Sequence, residues 1–156
     1  MSLLPLTHER VVEFAETDAA GLLHFTNYLR YVEAAERTLF EQLGFPLLRD
    51  DASGKAGFPR VDVSCKFRAP LRFGDRVRIR LDVAELGPRS IHYRFKIEKV
   101  GNGITQTAAR GTLTTLYVQL DPATGDLVSE PLPAALQEAL TPHLASLPGP
   151  APQEGD

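Results

Sequence analysis

Apolar and polar residues alternate along this chain with two periods, and the change from one to the other divides it into elements. From about Thr26 the period is helical: Tyr28, Val32, Ala35, Leu39 and Leu43 recur four, three, four and four residues apart and so form one stripe. Gly44, directly after the last of them, suits a left-handed C-terminal cap, and Pro46 prevents continuation. From Val61 the period is two, with Val63, Cys65, Phe67 and Ala69 apolar and Asp62, Ser64, Lys66 and Arg68 polar, which predicts a half-buried strand. Val77, Ile79, Leu81 and Val83 define a second strand, and Ile91, Tyr93, Phe95 and Ile97, after Gly87-Pro88, define a third. Gly101-Asn102-Gly103 marks a hairpin into a last strand from about Ile104 to Leu120, whose small residues around Gly111 predict a close approach by a helix or ligand.

The remaining segments have weaker patterns. Imperfect alternation over Thr7 to Ala15 predicts a first strand, and Phe45 to Pro59, full of turn formers, reads as a mobile connection. Leu132, Leu136, Leu140 and Leu144 lie four apart and predict a short helix within Pro131 to Leu147, followed by a disordered tail over 148–156. The order is strand, long helix, then four strands. That is one α+β domain over 1–147, in which an antiparallel sheet wraps a central helix.

Composition narrows the function classes. With 43% hydrophobic and 24% charged residues, the chain can build an ordinary core, and no stretch has the apolar length of a membrane span. A net charge of −3 gives no electrostatic reason to expect nucleic acid or an anionic membrane as a partner. Met1 to Pro5 lacks the regions of a signal peptide, and Cys65, the single cysteine, cannot form an internal disulfide, so a cytoplasmic setting is expected. His8, His24, His92 and His143 are scattered without zinc-ligand spacing, and no metal is expected.

Candidate chemistry gathers just before the long helix, at Thr17-Asp18-Ala19-Ala20-Gly21. Small residues allow a sharp turn there, and the helix that follows offers unpaired N–H groups at the positive end of its dipole. A carboxylate in that place can attack or activate water, while the N–H groups can stabilise an oxyanion. Asp before a helix is also a common capping or Asx-turn residue, and the local pattern leaves both readings open.

The run Phe14-x-x-Thr17-Asp18-Ala19-x-Gly21-Leu22-Leu23-x-Phe25-x-Asn27-Tyr28-Leu29 resembles the signature of hot-dog-fold acyl-CoA thioesterases of the 4-hydroxybenzoyl-CoA thioesterase family. Arg68-Ala69-Pro70-Leu71-Arg72-Phe73-Gly74-Asp75 resembles that family's second common segment, and the similarity extends over roughly Arg10 to Leu120. The resemblance implies a hot-dog homodimer, or a tetramer, with an acyl-thioester site at the subunit interface. It also implies hydrolysis of acyl-CoA to a free acid and coenzyme A, with no cofactor beyond the coenzyme A of the substrate. Asp18 is then the general base or nucleophile, and the backbone N–H of Phe25 polarises the thioester carbonyl. His24 is expected to line the pocket, Asn27 to touch it, and Arg89 and Ser90 to serve the nucleotide.

Other positions carry a plainer reading. Tyr28 and Cys65 fall on apolar faces and read as core, whereas Arg60, Lys66, Arg68, Arg72, Arg76, Arg78 and Arg80 look outward by alternation. Two other functions fit the same fold: a non-hydrolytic binding module for acyl-CoA or acyl-carrier protein, and a dehydratase. The dehydratase needs an acid fourteen residues after its histidine, where His24 finds Thr38. Phe25, Phe45 and Phe58 would suit an aromatic or a fatty acyl group.

Overall fold

The computed structural model describes residues 6–144, so the tail expected over 148–156 lies outside the described residues. Phe25–Leu43 is one α-helix, α1, around which the rest is arranged. His24, in extended backbone, opens it by accepting the Thr26 N–H on its ring nitrogen. Gly44 closes it at φ 69°, and the Gly44 and Phe45 N–H groups donate to the carbonyls of Glu41 and Phe40. This is the left-handed cap that the Gly44-x-Pro46 pattern predicts. Tyr28, Val32, Ala35 and Leu39 are buried as their spacing requires, together with Tyr31, Glu36 and Phe40.

Facing α1 is a five-stranded antiparallel sheet. The chain runs β1 (Leu6–Val11), β2 (Arg49–Asp51), β3 (Gly54–Gly57), β4 (Arg60–Phe67), β5 (Arg76–Leu86), β6 (Ser90–Gly101), β7 (Ile104–Leu116), β8 (Val118–Leu120) and β9 (Leu127–Ser129). The large sheet has the order β1-β5-β6-β7-β4. Val77, Ile79, Leu81 and Val83 of β5 and Ile91, Tyr93, Phe95 and Ile97 of β6 are buried on the face toward α1. Removing a large apolar side chain from water contributes about 1.5–3 kcal/mol, so these two alternating runs and the helix stripe supply most of the driving force.

Four segments depart from expectation. The first strand ends at Val11, because the Val12 N–H turns to the Asp75 carbonyl and Phe14–Glu16 wind into a single 3-10 turn. The connection over Phe45 to Pro59 contains the hairpin β2–β3, whose turn is held by the Asp51 carboxylate accepting the Ser53 N–H at 2.8 Å. The last strand breaks at Tyr117, whose N–H donates to Arg89 O and whose carbonyl accepts from Glu130 N. That break passes the chain from the large sheet to a small one of order β2-β3-β8-β9. Phe58 packs there against both Phe40 and Tyr117, with ring centroids 5.3 and 5.2 Å apart, and closes one end of the core. The C-terminal helix is short: α2 spans Ala134–Leu140, followed by a 3-10 turn at Thr141–His143.

Strand β4 departs in burial. It is an edge strand, and Val61, Val63 and Phe67 are 55%, 45% and 51% exposed, although the alternation marks them as an inner face. Alternation says which residues share a face, not whether anything covers it.

Candidate active site

The acidic turn is built by its own backbone. Asp18 N–H donates to Leu22 O, Gly21 N–H to Asp18 O, and Gly21 adopts φ 78°, which suits a residue without a side chain. Asp18 Oδ1 accepts the N–H groups of Ala20 at 2.9 Å and Leu22 at 3.1 Å. The carboxylate is thus fixed through one oxygen. Its Oδ2 has no hydrogen-bond partner among the described residues.

The chain then crosses to α1 through Leu23, whose N–H donates to Leu71 O, and His24, whose N–H donates to Glu16 O. At the helix start, Thr26 N–H goes to His24 Nδ1 and Asn27 N–H to His24 O, while the Phe25 N–H makes no hydrogen bond among the described residues. The first N–H groups of a helix are unpaired by geometry, and here that leaves a donor next to the acidic turn. Asp18 and Phe25 line the same cavity of about 330 Å³, with Leu22, Leu23, Tyr28, Phe67, Arg68, Ala69 and Pro70. A larger depression of about 540 Å³ over Arg30, Glu33, Arg37 and Leu47 lies on the exposed side of α1 and contains neither Asp18 nor Phe25.

Glu16 holds this corner together. Its carboxylate takes Arg10 on one oxygen and Tyr31 Oη and Glu13 N–H on the other, while its carbonyl accepts His24 N–H and Asn27 Nδ2. Arg10 also lies over the Tyr31 ring, 4.0 Å from its centroid. Burial and the Glu16 carboxylate push the Tyr31 phenol far up, so it remains a donor. The motif reading gave Glu16 no role, because its partners come from β1, the 3-10 turn and α1.

The other candidates are placed as follows. His24 caps α1, stacks on Phe25 at 4.8 Å and does not line the Asp18 cavity. Asn27 ties the first turn of α1 to the Glu16 carbonyl at 2.8 Å. Arg89 donates to the carbonyl and hydroxyl of Ser129, and Ser90 Oγ meets His92 Nε2 at 3.1 Å; neither residue lines the Asp18 cavity. Tyr28 is buried yet forms part of the cavity wall. Phe67, Arg68, Ala69 and Pro70 join it from the second motif segment, and Arg68 was therefore more than a residue of the outer sheet face.

Arg60 departs further from its outward assignment. A bulge between Arg60 and Asp62 shifts the alternation by one, so Arg60 pairs with Thr115, which is buried on the inner face. Its Nη2 donates to Glu36 Oε1 at 2.7 Å and its Nη1 to Phe58 O at 2.9 Å. Glu36 is fully buried, and burial pushes its carboxyl up against the pull of the Arg60 guanidinium. Thr38, fourteen residues after His24, bonds to Ala34 O instead of presenting an acid. The described residues contain no cluster of three potential metal ligands and no helix long and apolar enough to cross a membrane.

An antiparallel sheet packed on one long helix, with a carboxylate and an unengaged helix N–H lining one cavity, is the arrangement of a hot-dog protein. The profile of the Thioesterase-like superfamily matches residues 12–140, and the chain belongs to that family. A 1,4-dihydroxy-2-naphthoyl-CoA hydrolase of Thermosynechococcus vestitus is 29% identical over 132 residues, covering 85% of this chain and 88% of the relative. The solved 1,4-dihydroxy-2-naphthoyl-CoA thioesterase from Synechocystis superposes with a TM-score of 0.76 at 25% identity, over 86% of this chain and 94% of its own. The 4-hydroxybenzoyl CoA thioesterase from Pseudomonas sp. strain CBS-3 has the same fold, with a TM-score of 0.72 at 22% identity over 85% and 96% of the two chains. The protein is a thioester hydrolase with a hot-dog fold.

Proposed function

We propose that the chain hydrolyses an aromatic or fatty acyl-CoA at Asp18, in a homodimer whose second copy closes the site. The observation that carries this reading is the pair of unengaged groups in one cavity, Asp18 Oδ2 and the Phe25 N–H. The thioester oxygen accepts the Phe25 N–H, which stabilises the charge that builds as the carbonyl carbon becomes tetrahedral. Asp18 Oδ2 supplies the attack, either by bonding to that carbon or by taking the proton of a water that does so. The carbon–sulfur bond breaks and the thiolate takes up a proton to leave as coenzyme A; the general-base route gives the free acid directly, whereas the nucleophilic route leaves an Asp18 acyl anhydride that water hydrolyses to the acid and the restored carboxylate. Curated relatives named as 1,4-dihydroxy-2-naphthoyl-CoA hydrolases favour an aromatic acyl group.

The dimer completes a site that is open in one protomer. Phe67 lines the Asp18 cavity while half exposed, and it sits on the unpaired edge of β4 beside exposed Val61 and Val63. A long apolar edge is a template for strand pairing, and pairing with a second β4 would cover all three. Arg89, exposed and held by Ser129, serves the nucleotide with Ser90.

The test is thiol release from a panel of acyl-CoAs. Asp18→Asn preserves the shape of the turn but supplies neither base nor nucleophile, and turnover should fall by about a thousandfold or more. Phe25→Ala keeps the backbone donor and should cost far less. Normal turnover by Asp18→Asn would reject the assignment, and acyl-CoA binding without hydrolysis by the wild type would favour the binding-module reading.

A further inference from the structure

Glu36 is an expensive residue for its position. It sits on the buried face of α1 among Val32, Ala35, Leu39 and Phe40, fully out of solvent, where an apolar side chain would pack without desolvating a charge. Its Oε2 is buried without a hydrogen-bond partner, as is the neighbouring Tyr93 Oη, although the two groups lie close enough to shift each other's titration. What Glu36 does achieve is to fix Arg60. With Nη2 on the carboxylate and Nη1 on the Phe58 carbonyl, the guanidinium has one orientation and keeps further N–H groups free on a side chain that is one-third exposed.

Arg60 also lines a second cavity. About 260 Å³ lie between α1 and β4, walled by Leu29, Val32, Val63 and Leu113, with Arg60 in the lining and Arg30 and Glu33 at the rim. The Asp18 cavity also lies between α1 and β4, with Phe25 and Tyr28 from the helix and Phe67 from the strand. Helix and strand run side by side, touching at Tyr28–Phe67 near Asp18, with ring centroids 4.9 Å apart, and at Glu36–Arg60 further on. The lining residues from Leu29 to Glu33 lie four to eight residues beyond Phe25, roughly 6–12 Å at the helical rise, so a group extending from the thioester carbonyl reaches this space after its first ring or first few carbons.

We propose that this cavity takes the far end of the acyl group, and that Arg60, a binding residue positioned by Glu36, selects acyl groups ending in a carboxylate or another acceptor oxygen. The inference rests on the thioesterase reading. An apolar wall ending in an oriented guanidinium matches a hydrocarbon or ring system that terminates in a planar anion. Arg30 and Glu33 carry opposite charges on exposed side chains, and Arg60 is the lining cation whose orientation a buried carboxylate fixes.

The experiment compares matched thioesters on the full-length protein: octanoyl-CoA with its ω-carboxyl counterpart, and 2-naphthoyl-CoA with 6-carboxy-2-naphthoyl-CoA. The readout is the ratio of kcat/KM within each pair, from which a general loss of activity cancels. The wild type should favour the carboxyl-ended member of at least one pair, and Arg60→Met should lower that ratio by about 10- to 100-fold, with Arg60→Lys in between. Glu36→Leu, which keeps Arg60 but removes the carboxylate that fixes it, should lower the same ratio, an outcome that a purely structural ion pair would not give. A wild type that hydrolyses methyl-ended esters without favouring their partners, or an Arg60→Met protein with an unchanged ratio, would overturn this inference and leave Asp18 in place. A wild type that hydrolyses no ester would overturn the thioesterase reading and this inference together.

Discussion

At the scale of single residues, position relative to other elements decides more than residue type. Asp18 and Glu16 are both acids ahead of α1, yet Asp18 keeps one oxygen free and Glu16 keeps none. Glu16→Ala should therefore act through architecture. It strips Arg10 and Tyr31 of their partner inside a mostly buried corner, at a cost of about 2–4 kcal/mol, and loosens the helix entry that carries the Phe25 N–H. Urea melts should show the lost stability with an unchanged m-value, and kcat should fall as well; a variant as stable as the parent would remove Glu16 from this role. The motif pointed to Asp18 and Phe25 because the roles proposed for them are local, one in a turn and one at a helix start. Glu16 and Arg60 stayed hidden because their partners lie elsewhere in the chain, and for Arg60 a one-residue bulge reversed the face that alternation assigns.

At the scale of elements, register turns that alternation into rows across the sheet. Arg80 lies opposite Lys96, Lys96 opposite Arg110, and Arg110 opposite Lys66, so four cations share one row on the outer face of β5, β6, β7 and β4. Arg80 reaches Glu98, but Lys66, Lys96 and Arg110 have no ion pair among the described residues. Like charges directly opposite each other oppose pairing, so Lys96→Glu, placed between two arginines, should stabilise by about 0.5–1 kcal/mol. Thermal melts should show the gain at low salt and its loss near molar salt; a gain insensitive to salt would point away from the row. The central strands β5 and β6 and their faces were legible, as were the buried stripe of α1 and its Gly44 cap, whereas the His24 cap at its start was not. Gly111 was legible as a close approach, but its neighbour is strand backbone: an added Cβ would fall 1.9 Å from Ser64 O and 2.6 Å from the Phe95 ring. The hairpin β2–β3 was not legible, since three- and four-residue strands made of charged and small residues leave no period to read.

At the scale of the whole molecule, one edge carries the proposed dimer. Both outer strands of the large sheet have a free side among the described residues, but β4 is the one that combines an eight-residue span with exposed Val61, Val63 and Phe67, and it borders both cavities. Sequence pattern alone made this strand half-buried, and a second copy of β4 would restore that state. The chain should sediment at twice 17.1 kDa. Val61 gives the sharper test: it is the extra residue of the bulge, lines neither cavity, and is more than half exposed. Val61→Lys sets a charge on the pairing edge without touching Asp18, Phe25 or Arg60, the device by which natural sheets keep their edges apart. The variant should shift toward monomer in sedimentation and lose activity in step with the dimer fraction, recovering as protein concentration rises. A wild type that remains strictly monomeric while fully active would break the link between this edge and the site, because the cavity around Asp18 would then work with the Phe67 wall left open to water.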